Sequence, residues 1–302
     1  MKQNSGFTLI QMSIVLVIIG LLVGGILTGQ NLINAAAISA QVTQIQKYQT
    51  AVNLFQTKYN GYLPGDIPDP YASNFGFQAR GQYAGEGDGN GILQSDCNNT
   101  ANNSDNFQAG CGELAVFWQD LSIAALIDLN VPSGGNGYPH TNGQSNGTVN
   151  LSSSPGIKDW LPAGKIGQGT FMYIHSLNGI NYYSVSTVTN IGWNIESTAN
   201  PGLTVQQAYN IDIKIDDGLP QSGSVTACYM NWDVAGDQVV WAAGGPTQGA
   251  TGGTNCVPTT NATAYGVNNC YDNNNIAGTE TYSISKNANA RNCALSFQFQ
   301  TQ

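Results

Sequence analysis

Oxygen-bearing side chains alternate with glycine in the segment EGDGNGILQSD, residues 86–96. This alternation, with Gly91 available for a sharp turn, is typical of the opening of a calcium-binding loop. Hard and flexible oxygen ligands at this spacing suit Ca²⁺ better than Mg²⁺. The segment therefore predicts a calcium site with side-chain and main-chain ligands from Glu86, Asp88, Asn90, Ile92 and Asp96.

Two positions of this segment depart from the calcium-loop pattern. The first ligand is Glu86 where Asp is usual, and the twelfth position, normally a bidentate Glu, is Cys97. A glycine-rich acidic turn without an ion is therefore the alternative. A second acidic group consists of Asp212, Asp216 and Asp217, and its letters DDG after a helix are typical of a turn.

The remaining motifs give little support to enzymatic chemistry. His140 in YPHTNG and His175 in a predicted strand have neither a Ser or Cys nucleophile context nor the H-E-x-x-H spacing. The stretch GEGDGNG lacks the following GK[ST] of a phosphate-binding loop, and no carboxylate pair stands out for acid–base work. We therefore expect no catalytic residues and no enzymatic activity.

The six cysteines all follow residue 96, and they include no C-x-x-C pair, so a zinc site is not expected. An even number of cysteines in an exported chain predicts disulfides, whereas in a reducing cytoplasm some would be free and buried. Equal short spacings favour two local bridges, and the third follows by elimination. The predicted pairs are Cys97–Cys111, Cys256–Cys270 and Cys228–Cys293.

The charge composition argues against a nucleic-acid partner. Only 9% of the 302 residues are charged, against about 25% in typical soluble proteins, and the net charge is −9. Phosphate-binding surfaces need clustered Lys and Arg, whereas the basic residues of this chain are scattered singly. The abundance of Gly, Asn, Ser, Thr and Gln instead indicates an exported protein with many loops.

The first element that must position these residues is an uncharged N-terminal helix. Residues 7–28 contain four polar side chains and no charge. A helix of this length spans about 33 Å, which is enough for the hydrocarbon layer of a membrane. Because Lys2 lies on the short side, we expect a cytoplasmic N-terminus and a single crossing, with the rest of the chain exported.

The apolar run continues from Gln30 to Tyr59 without Pro or Gly, and its apolar residues recur at helical spacing. One helix over residues 7–60 is therefore predicted, apolar in its first half and amphipathic in its second. Two alternatives stay open. One is a cleaved signal peptide, for which AAA at 35–37 resembles a small-residue cleavage site, and the other is a plain signal anchor.

The stretch GFTLIQMSIVLVIIGLLVGG, residues 6–25, resembles the start of a type IV pilin or a type II secretion pseudopilin. The resemblance implies a leader of residues 1–6, cleavage between Gly6 and Phe7 by a prepilin peptidase, and N-methylation of Phe7. It also implies assembly with other pilins or pseudopilins, as homo- or hetero-oligomers, on an inner-membrane platform. YLPGDIPDP at 62–70 is similar to the link to the globular part in large members of the family.

Gln11 departs from the family pattern, in which Glu is the fifth residue after the cleavage site. The resemblance implies that this Glu neutralises the terminal ammonium of a neighbouring subunit within the apolar layer. Gln can accept a hydrogen bond from that ammonium but cannot cancel its charge. Either the chain is a minor subunit that initiates or tips a fibre, or the change is tolerated in an ordinary subunit.

Short segments separated by turn residues follow Asp66 and predict a globular domain at 61–302. Its class is α+β, with an antiparallel sheet packed on the long helix, as in pilins. We predict helices at 113–129 and 204–215, and a hairpin at 169–188 that turns at Asn178–Gly179. Further strands are predicted at 224–232, 237–245 and 292–300, and surface loops at 96–110, 133–154 and 244–278.

The sequence as a whole predicts a pilin-like structural subunit. We expect it in the bacterial inner membrane with its globular domain in the periplasm, in contact with lipid, and after assembly at the cell surface or in a pseudopilus. Two alternatives belong to other classes. They are a pilus-tip adhesin or ligand-binding subunit that uses the Asn/Gly-rich loops, and a membrane-anchored periplasmic hydrolase.

Overall fold

The computed structural model of the chain describes residues 9–81, 85–95, 111–131, 149–150, 156–167, 169–191, 198–230, 239–242, 256, 269–272 and 280–299. The helices α1 to α6 are Leu9–Lys58, Tyr71–Asn74, Gly112–Ile123, Ile157–Trp160, Val205–Ile215 and Ile284–Asn287. The strands β1 to β10 are Val149–Asn150, Phe171–Leu177, Ile180–Ile191, Thr198–Asn200, Val225–Thr226, Cys228–Met230, Val239–Trp241, Tyr271–Asp272, Thr281–Tyr282 and Leu295–Gln298.

Helix α1 is continuous over 50 residues, which confirms the prediction of one long helix. Its large apolar side chains from Leu9 to Ile33 are exposed. Within the described part of the chain it is the one helix long and apolar enough to cross a membrane, a test that a signal sequence near an N-terminus also passes. One face of its second half is buried at helical spacing, namely Ile38, Gln41, Gln44, Ile45, Tyr48, Ala51, Val52 and Phe55.

Two glutamines join the second half of α1 to the segment that precedes β2. The Gln41 side-chain oxygen accepts a hydrogen bond from the N–H of Ile166 at 3.0 Å. The Gln44 side chain accepts from the N–H of Lys165 at 3.0 Å and donates to the carbonyl of Ala163 at 2.9 Å. Both glutamine side chains are buried. Because both the oxygen and the nitrogen of the Gln44 amide bind main-chain groups, these bonds fix the position of the domain along α1.

Aromatic rings extend the contact between α1 and the domain. Tyr48 packs edge-on against Trp118 of α3, with 4.9 Å between ring centroids. Nearer the end of α1, Phe55 lies 5.5 Å from Phe77 by the same measure. Since aromatic side chains bury large apolar areas, this row of rings anchors the helix on the hydrophobic core.

Strand β3 is the centre of the main antiparallel sheet. Its first part pairs with β2 and β10, and its last residues pair with β1 and β4. Strand β10 pairs in turn with β5, so the sheet has six strands. The pairs β6–β7 and β8–β9 form separate two-stranded sheets. A long helix with an antiparallel sheet domain confirms the predicted α+β class.

The hairpin prediction is confirmed in detail. Asn178 and Gly179 connect β2 to β3 with φ of 51° and 78°. A type I′ turn needs positive φ at both central residues, which Asn and Gly tolerate best. The strand predictions at 224–232, 237–245 and 292–300 are confirmed as well, and they contain β5 with β6, β7 and β10 respectively.

The two predicted helices of the domain exist, but one is shorter than expected. Helix α5 begins after Thr204, whose side-chain oxygen accepts a hydrogen bond from the N–H of Gln207 at 3.1 Å. The helix predicted at 113–129 is α3, which ends at Ile123. The reason is local, because Ala125 adopts a left-handed φ of 56° that an α-helix cannot continue.

Two predicted disulfides are wrong. Cys228 is bonded to Cys256, and Cys270 to Cys293, in place of the predicted pairs Cys256–Cys270 and Cys228–Cys293. The Cα–Cα distances of the observed pairs are 6.2 Å and 4.8 Å. Cys228 opens β6, and Cys293 lies just before β10. One bridge therefore ties β6, and the other the residues before β10, to the segment between β7 and β8 instead of closing a local loop.

The third predicted disulfide lies partly outside the described residues. Cys111 is disulfide-bonded, and its predicted partner Cys97 is not among the described residues. The same holds for the predicted loop 96–110, and for most of 133–154 and 244–278. The described residues within the last two loops include the short strands β1 and β8.

We expect the substitution Gln44→Ala to weaken the docking of the domain on α1. The carbonyl of Ala163 and the N–H of Lys165 would both lose their partner, and because both residues are exposed to water each lost hydrogen bond costs about 0.5–1.5 kcal/mol. The free energy of unfolding, measured by denaturant titration of the full chain in detergent with tryptophan fluorescence, should fall by that order.

Gln49→Ala is the matched control for this measurement, because Gln49 lies on the same helix and is exposed. Exposed substitutions usually change stability by less than about 0.5 kcal/mol. An equal loss in Gln49→Ala and Gln44→Ala would contradict the docking role of Gln44.

Candidate functional site

The loop at residues 85–95 closes around the side chain of Glu113 in the first turn of α3. One carboxylate oxygen of Glu113 accepts hydrogen bonds from the N–H of Gly87 at 2.9 Å and of Asp88 at 3.3 Å. The other oxygen accepts from the N–H of Gln94 at 2.8 Å. The side chain of Glu113 is fully buried. A buried carboxylate thus serves as the acceptor that shapes the loop.

Asp66 binds the same loop at two further points. Its two carboxylate oxygens accept hydrogen bonds from the N–H of Gly89 at 2.7 Å and of Gly91 at 2.8 Å. The preceding Gly65 has φ of 91°, and a Cβ there would overlap the carbonyl oxygen of Glu113. Glycine therefore allows the segment after α1 to pass directly against the start of α3.

The carboxylates of Asp66, Asp88 and Glu113 form a cluster, in which one oxygen from each lies within 4.8 Å of the others. Burial, together with the nearby charge of Asp88, raises the pKa of Asp66 to about 7, although the hydrogen bonds from Gly91 and Gly89 lower it. Burial and the charge of Asp66 raise the pKa of Glu113 well above its usual value. Three such carboxylates need a proton or a cation to reduce their repulsion.

Asp88 is the predicted calcium ligand that belongs to this carboxylate cluster. The side chain of Glu86 is buried but contributes no oxygen to the cluster. Asn90 donates its amide to Asp88 at 2.8 Å and accepts from the N–H of Ile92 at 2.6 Å. Asp96 lies outside the described residues. The predicted loop therefore reaches the cluster, but two of the three carboxylates come from elsewhere in the chain.

Sequence reasoning missed Asp66 and Glu113 because both are far from the loop along the chain. Each had a usable local signal. Glu113 is an acidic residue in the first turn of a helix, where the helix dipole favours negative charge. Asp66 follows a glycine in the link after the long helix. Neither signal says that the two residues meet, because that depends on how α1 and α3 pack.

The oxygen donors of the carboxylate cluster fit a hard divalent cation. Calcium takes about six to eight oxygen ligands, and aspartate and glutamate are frequent among them. A carboxylate oxygen that accepts one N–H bond keeps a further lone pair. Asp66, Asp88 and Glu113 are the residues that would hold such an ion, and a bound cation would neutralise their mutual repulsion.

A buried ion pair positions the segment that carries Asp66. Arg80 and Asp120 of α3 meet at 2.5 Å, and both side chains are fully buried. Arg80 also donates to the carbonyl of Ile67 at 3.2 Å, while Asp120 accepts from the N–H of Gly65 at 2.7 Å. The residues on both sides of Asp66 are thereby tied to one pair of charges.

The second acidic group builds a turn. Oxygens of Asp212, Asp216 and Asp217 lie within 4.8 Å of one another. Asp212 accepts a hydrogen bond from the N–H of Gly218 at 3.1 Å, and Asp217 accepts from the N–H of Leu219 at 2.8 Å. Burial raises the pKa of Asp212 to about 7. The letters DDG form the turn that the sequence predicted.

His175 lies in a polar network within the sheet. The Nδ1 atom of His175 lies 2.9 Å from the hydroxyl of Ser184, which lies 2.8 Å from the hydroxyl of Ser296. Burial lowers the pKa of His175 to about 3, so the ring is neutral at pH 7. All three side chains are buried, and the network joins strands β2, β3 and β10. His140 lies outside the described residues.

Comparisons with protein-family models, with curated proteins and with solved structures return no match. What can be said about the chain therefore rests on its own sequence and structure. A long apolar N-terminal helix indicates a membrane anchor or a signal, and the disulfides indicate an oxidising compartment. Gln11 lies in the exposed part of α1, and Gly6 and Phe7 lie outside the described residues.

We expect Asp66 to lower the free energy of unfolding as the pH rises, because its carboxyl group then loses the proton that stabilises the folded state. The folded-state pKa of about 7 exceeds that of an unfolded aspartate, so this contribution is complete below about pH 4 and is lost as the pH rises through 7. Between pH 6 and 8, the free energy of unfolding in EDTA should fall by roughly 1 kcal/mol more in the unmodified chain than in Asp66→Asn.

The comparison with Asp66→Asn cancels the opposite pH dependence of His175, whose folded-state pKa is lowered to about 3. Asp128→Asn, which removes an exposed carboxylate, is the matched control and should keep the pH dependence of the unmodified chain. The same pH dependence in Asp66→Asn and the unmodified chain would contradict a titration of Asp66 near pH 7 in the folded protein.

Proposed function

We propose that this chain is a pilin-like structural subunit, a pseudopilin or minor pilin of a type II secretion or type IV pilus-type machine. Before assembly, residues 7–28 hold it in the inner membrane with its N-terminus in the cytoplasm and its domain in the periplasm. A prepilin peptidase removes the leader. An assembly platform then moves subunits out of the lipid, and contacts between apolar helices replace contacts with lipid.

The observation that carries this proposal is the division of α1 into an exposed apolar half and a docked half. The exposed half has the length and composition of a membrane span, and the docked half is packed on the domain from Ile38 onward. The first charged residue of α1 is Lys47. Because the preceding stretch carries no charge, it can pack against copies of itself without removing ions from water.

The buried His175 network supports the structural function over the membrane-anchored hydrolase. A catalytic histidine must reach a substrate or a water molecule. His175 and Ser184 are 1% and 0% exposed, so neither is placed to attack a substrate in this conformation. Their hydrogen bonds join strands, which is the role of a core polar network.

We expect the mature protein to lack residues 1–6 and to carry one added methyl group on Phe7. Intact-mass spectrometry of the chain purified from the membrane of its native host measures both changes at once. Substitution of the residue before the cleavage site, Gly6→Val, should leave the leader in place and abolish the methylation, because the peptidase cuts next to this glycine.

Ala37→Val is the matched control, because it alters the AAA stretch that resembles a signal-peptidase site. It should leave the mass of the mature protein unchanged apart from the substitution. A mature protein that begins after Ala37 would overturn the pilin proposal and favour a soluble exported protein.

The position of Gln11 is compatible with both explanations for a Gln at this site, namely a minor subunit that initiates or tips a fibre and a tolerated change in an ordinary subunit. An exposed polar side chain within the apolar half of α1 suits a contact with a neighbouring subunit. If Gln11→Glu leaves the abundance of the subunit and its position in the fibre unchanged, the change is a tolerated one and a special place at the tip is excluded.

We further propose calcium as the ion of the carboxylate cluster. Its three carboxylates are held by the loop and by α3, and a divalent cation would offset their repulsion. In isothermal titration at pH 8, Ca²⁺ should bind the full chain in detergent. Glu113→Gln should weaken the affinity at least tenfold, because it removes one charged ligand.

Asp217→Asn tests whether the second acidic group contributes to this binding, and it should leave the Ca²⁺ affinity unchanged. Absence of Ca²⁺ binding to the unmodified chain would leave protonation as the means by which the cluster is stabilised, and would exclude calcium. Equal binding by Glu113→Gln would place the ion elsewhere.

A further inference from the structure

A cavity of about 680 Å³ lies between α1 and α5, beside the end of the apolar half of α1. Asn31, Asn34 and Ile38, which lie on one face of α1, line one side. Asn210 and Lys214 of α5 line the other. Further amide side chains and a few apolar ones also line the cavity, so its walls consist mainly of hydrogen-bonding groups.

Two of the nine basic residues of the chain, Lys214 and Arg291, line this cavity, and no acidic residue does. This local excess of positive charge contrasts with the net charge of −9. Neither cation takes part in a salt bridge within the described residues. Lys214 instead donates a hydrogen bond to the hydroxyl of Ser39 at 3.3 Å, which spans the cleft between α5 and α1.

The end of the cavity at Asn31 lies at the depth of lipid headgroups when α1 spans a membrane, and the rest of the cavity extends farther from the hydrocarbon core. At a rise of about 1.5 Å per residue, Asn31 is about 4.5 Å and Ile38 about 15 Å beyond Thr28, where the apolar run ends. The headgroup layer occupies roughly 5–7 Å on each side of the hydrocarbon core. Leu32 and Ile33, which are 72% and 69% exposed, border this level.

We propose that this cavity binds the headgroup of an anionic phospholipid from the outer leaflet of the membrane that α1 spans. Lys214 and Arg291 pair with the phosphate, and the amides of Asn31 and Asn34 donate hydrogen bonds to it or to the polar headgroup. The acyl chains lie along the exposed apolar half of α1. This inference rests on the proposed function, because it requires that α1 remains in a membrane.

The chemistry of the cavity favours a phosphate group. A guanidinium presents parallel N–H donors that match two phosphate oxygens, and a lysine supplies a mobile point charge. Both side chains are long enough to reach toward a membrane surface from above it. A lipid is favoured over free phosphate because the apolar side chains of α1 continue directly below the cavity, where acyl chains would lie.

The binding would orient the subunit before assembly. With the headgroup held between α1 and α5, the domain is drawn toward the membrane on one side of the helix. Release of the lipid on extraction would then free the same face of α1 for a neighbouring subunit.

Native mass spectrometry of the full chain tests this proposal. The protein in detergent is mixed with phosphatidylglycerol or with phosphatidylcholine of the same acyl chains, and the retained lipid is counted. We expect preferential retention of phosphatidylglycerol. Each cation near an anionic headgroup contributes roughly a fivefold gain in binding. The double variant Lys214→Gln/Arg291→Gln should therefore weaken retention on the order of twentyfold.

The matched control is Lys58→Gln/Lys158→Gln, which removes the same charge from exposed positions outside the cavity. It should retain phosphatidylglycerol like the unmodified chain. Equal retention of the two lipids, or equal losses in both double variants, would overturn the proposal. Competition by inorganic phosphate as effective as that by phosphatidylglycerol would show that the site takes free phosphate and not lipid.

The intact mass of the same sample separates this inference from the proposed function. If the mature chain keeps residues 7–28 but shows no preference for phosphatidylglycerol, the lipid site is wrong and the pilin proposal is unaffected. If the chain begins after Ala37, the membrane anchor itself is absent and both proposals fail.

Discussion

The central constraint on this protein is that the two halves of one unbroken helix have different surroundings, since the first half is apolar and exposed and the second is packed on the globular domain. The first half of α1 exposes apolar side chains that would be unfavourable in water, and the second half packs on a polar domain. Gln41 and Gln44 make this change possible without charge, because their amides pair with main-chain groups of the segment before β2. The attachment of α1 to the domain at these two residues therefore carries no charge.

Buried acids, in addition to the aromatic contacts of α1, organise the junction between the helix and the domain. Asp66, Glu113 and Asp120 are all buried, and each accepts hydrogen bonds from main-chain N–H groups. Burial of a carboxylate is unfavourable unless such partners compensate for lost hydration. The junction is therefore specific, since a shift of the loop or of α3 would leave charged groups unpaired. The same arrangement makes it sensitive to protons and to cations.

The distribution of charge connects the anchor to the domain. A chain with few basic residues places Lys214 and Arg291 together beside the end of its apolar span, while its acidic clusters belong to the junction and to the turn after α5. Under the proposed attachment of α1 to a membrane, this positive charge would face an anionic leaflet. The disulfides join β6 and the residues before β10 to the segment between β7 and β8, and they indicate an oxidising compartment.

The sequence alone determined the features that depend on neighbours along the chain. The length of α1 followed from the long apolar run and from the absence of Pro and Gly between Gln30 and Tyr59, the hairpin from Asn178–Gly179, and the acidic turn from the letters DDG. Tertiary structure decided the disulfide partners of Cys228 and Cys293. It also brought Asp66 and Glu113 to the loop at residues 85–95, for which the sequence had predicted ligands from within the loop alone. The physical reason is the same in each case. A turn or a helix is stabilised by interactions between nearby residues, whereas a bridge or a carboxylate cluster forms where distant elements pack, and sequence spacing carries no record of that packing.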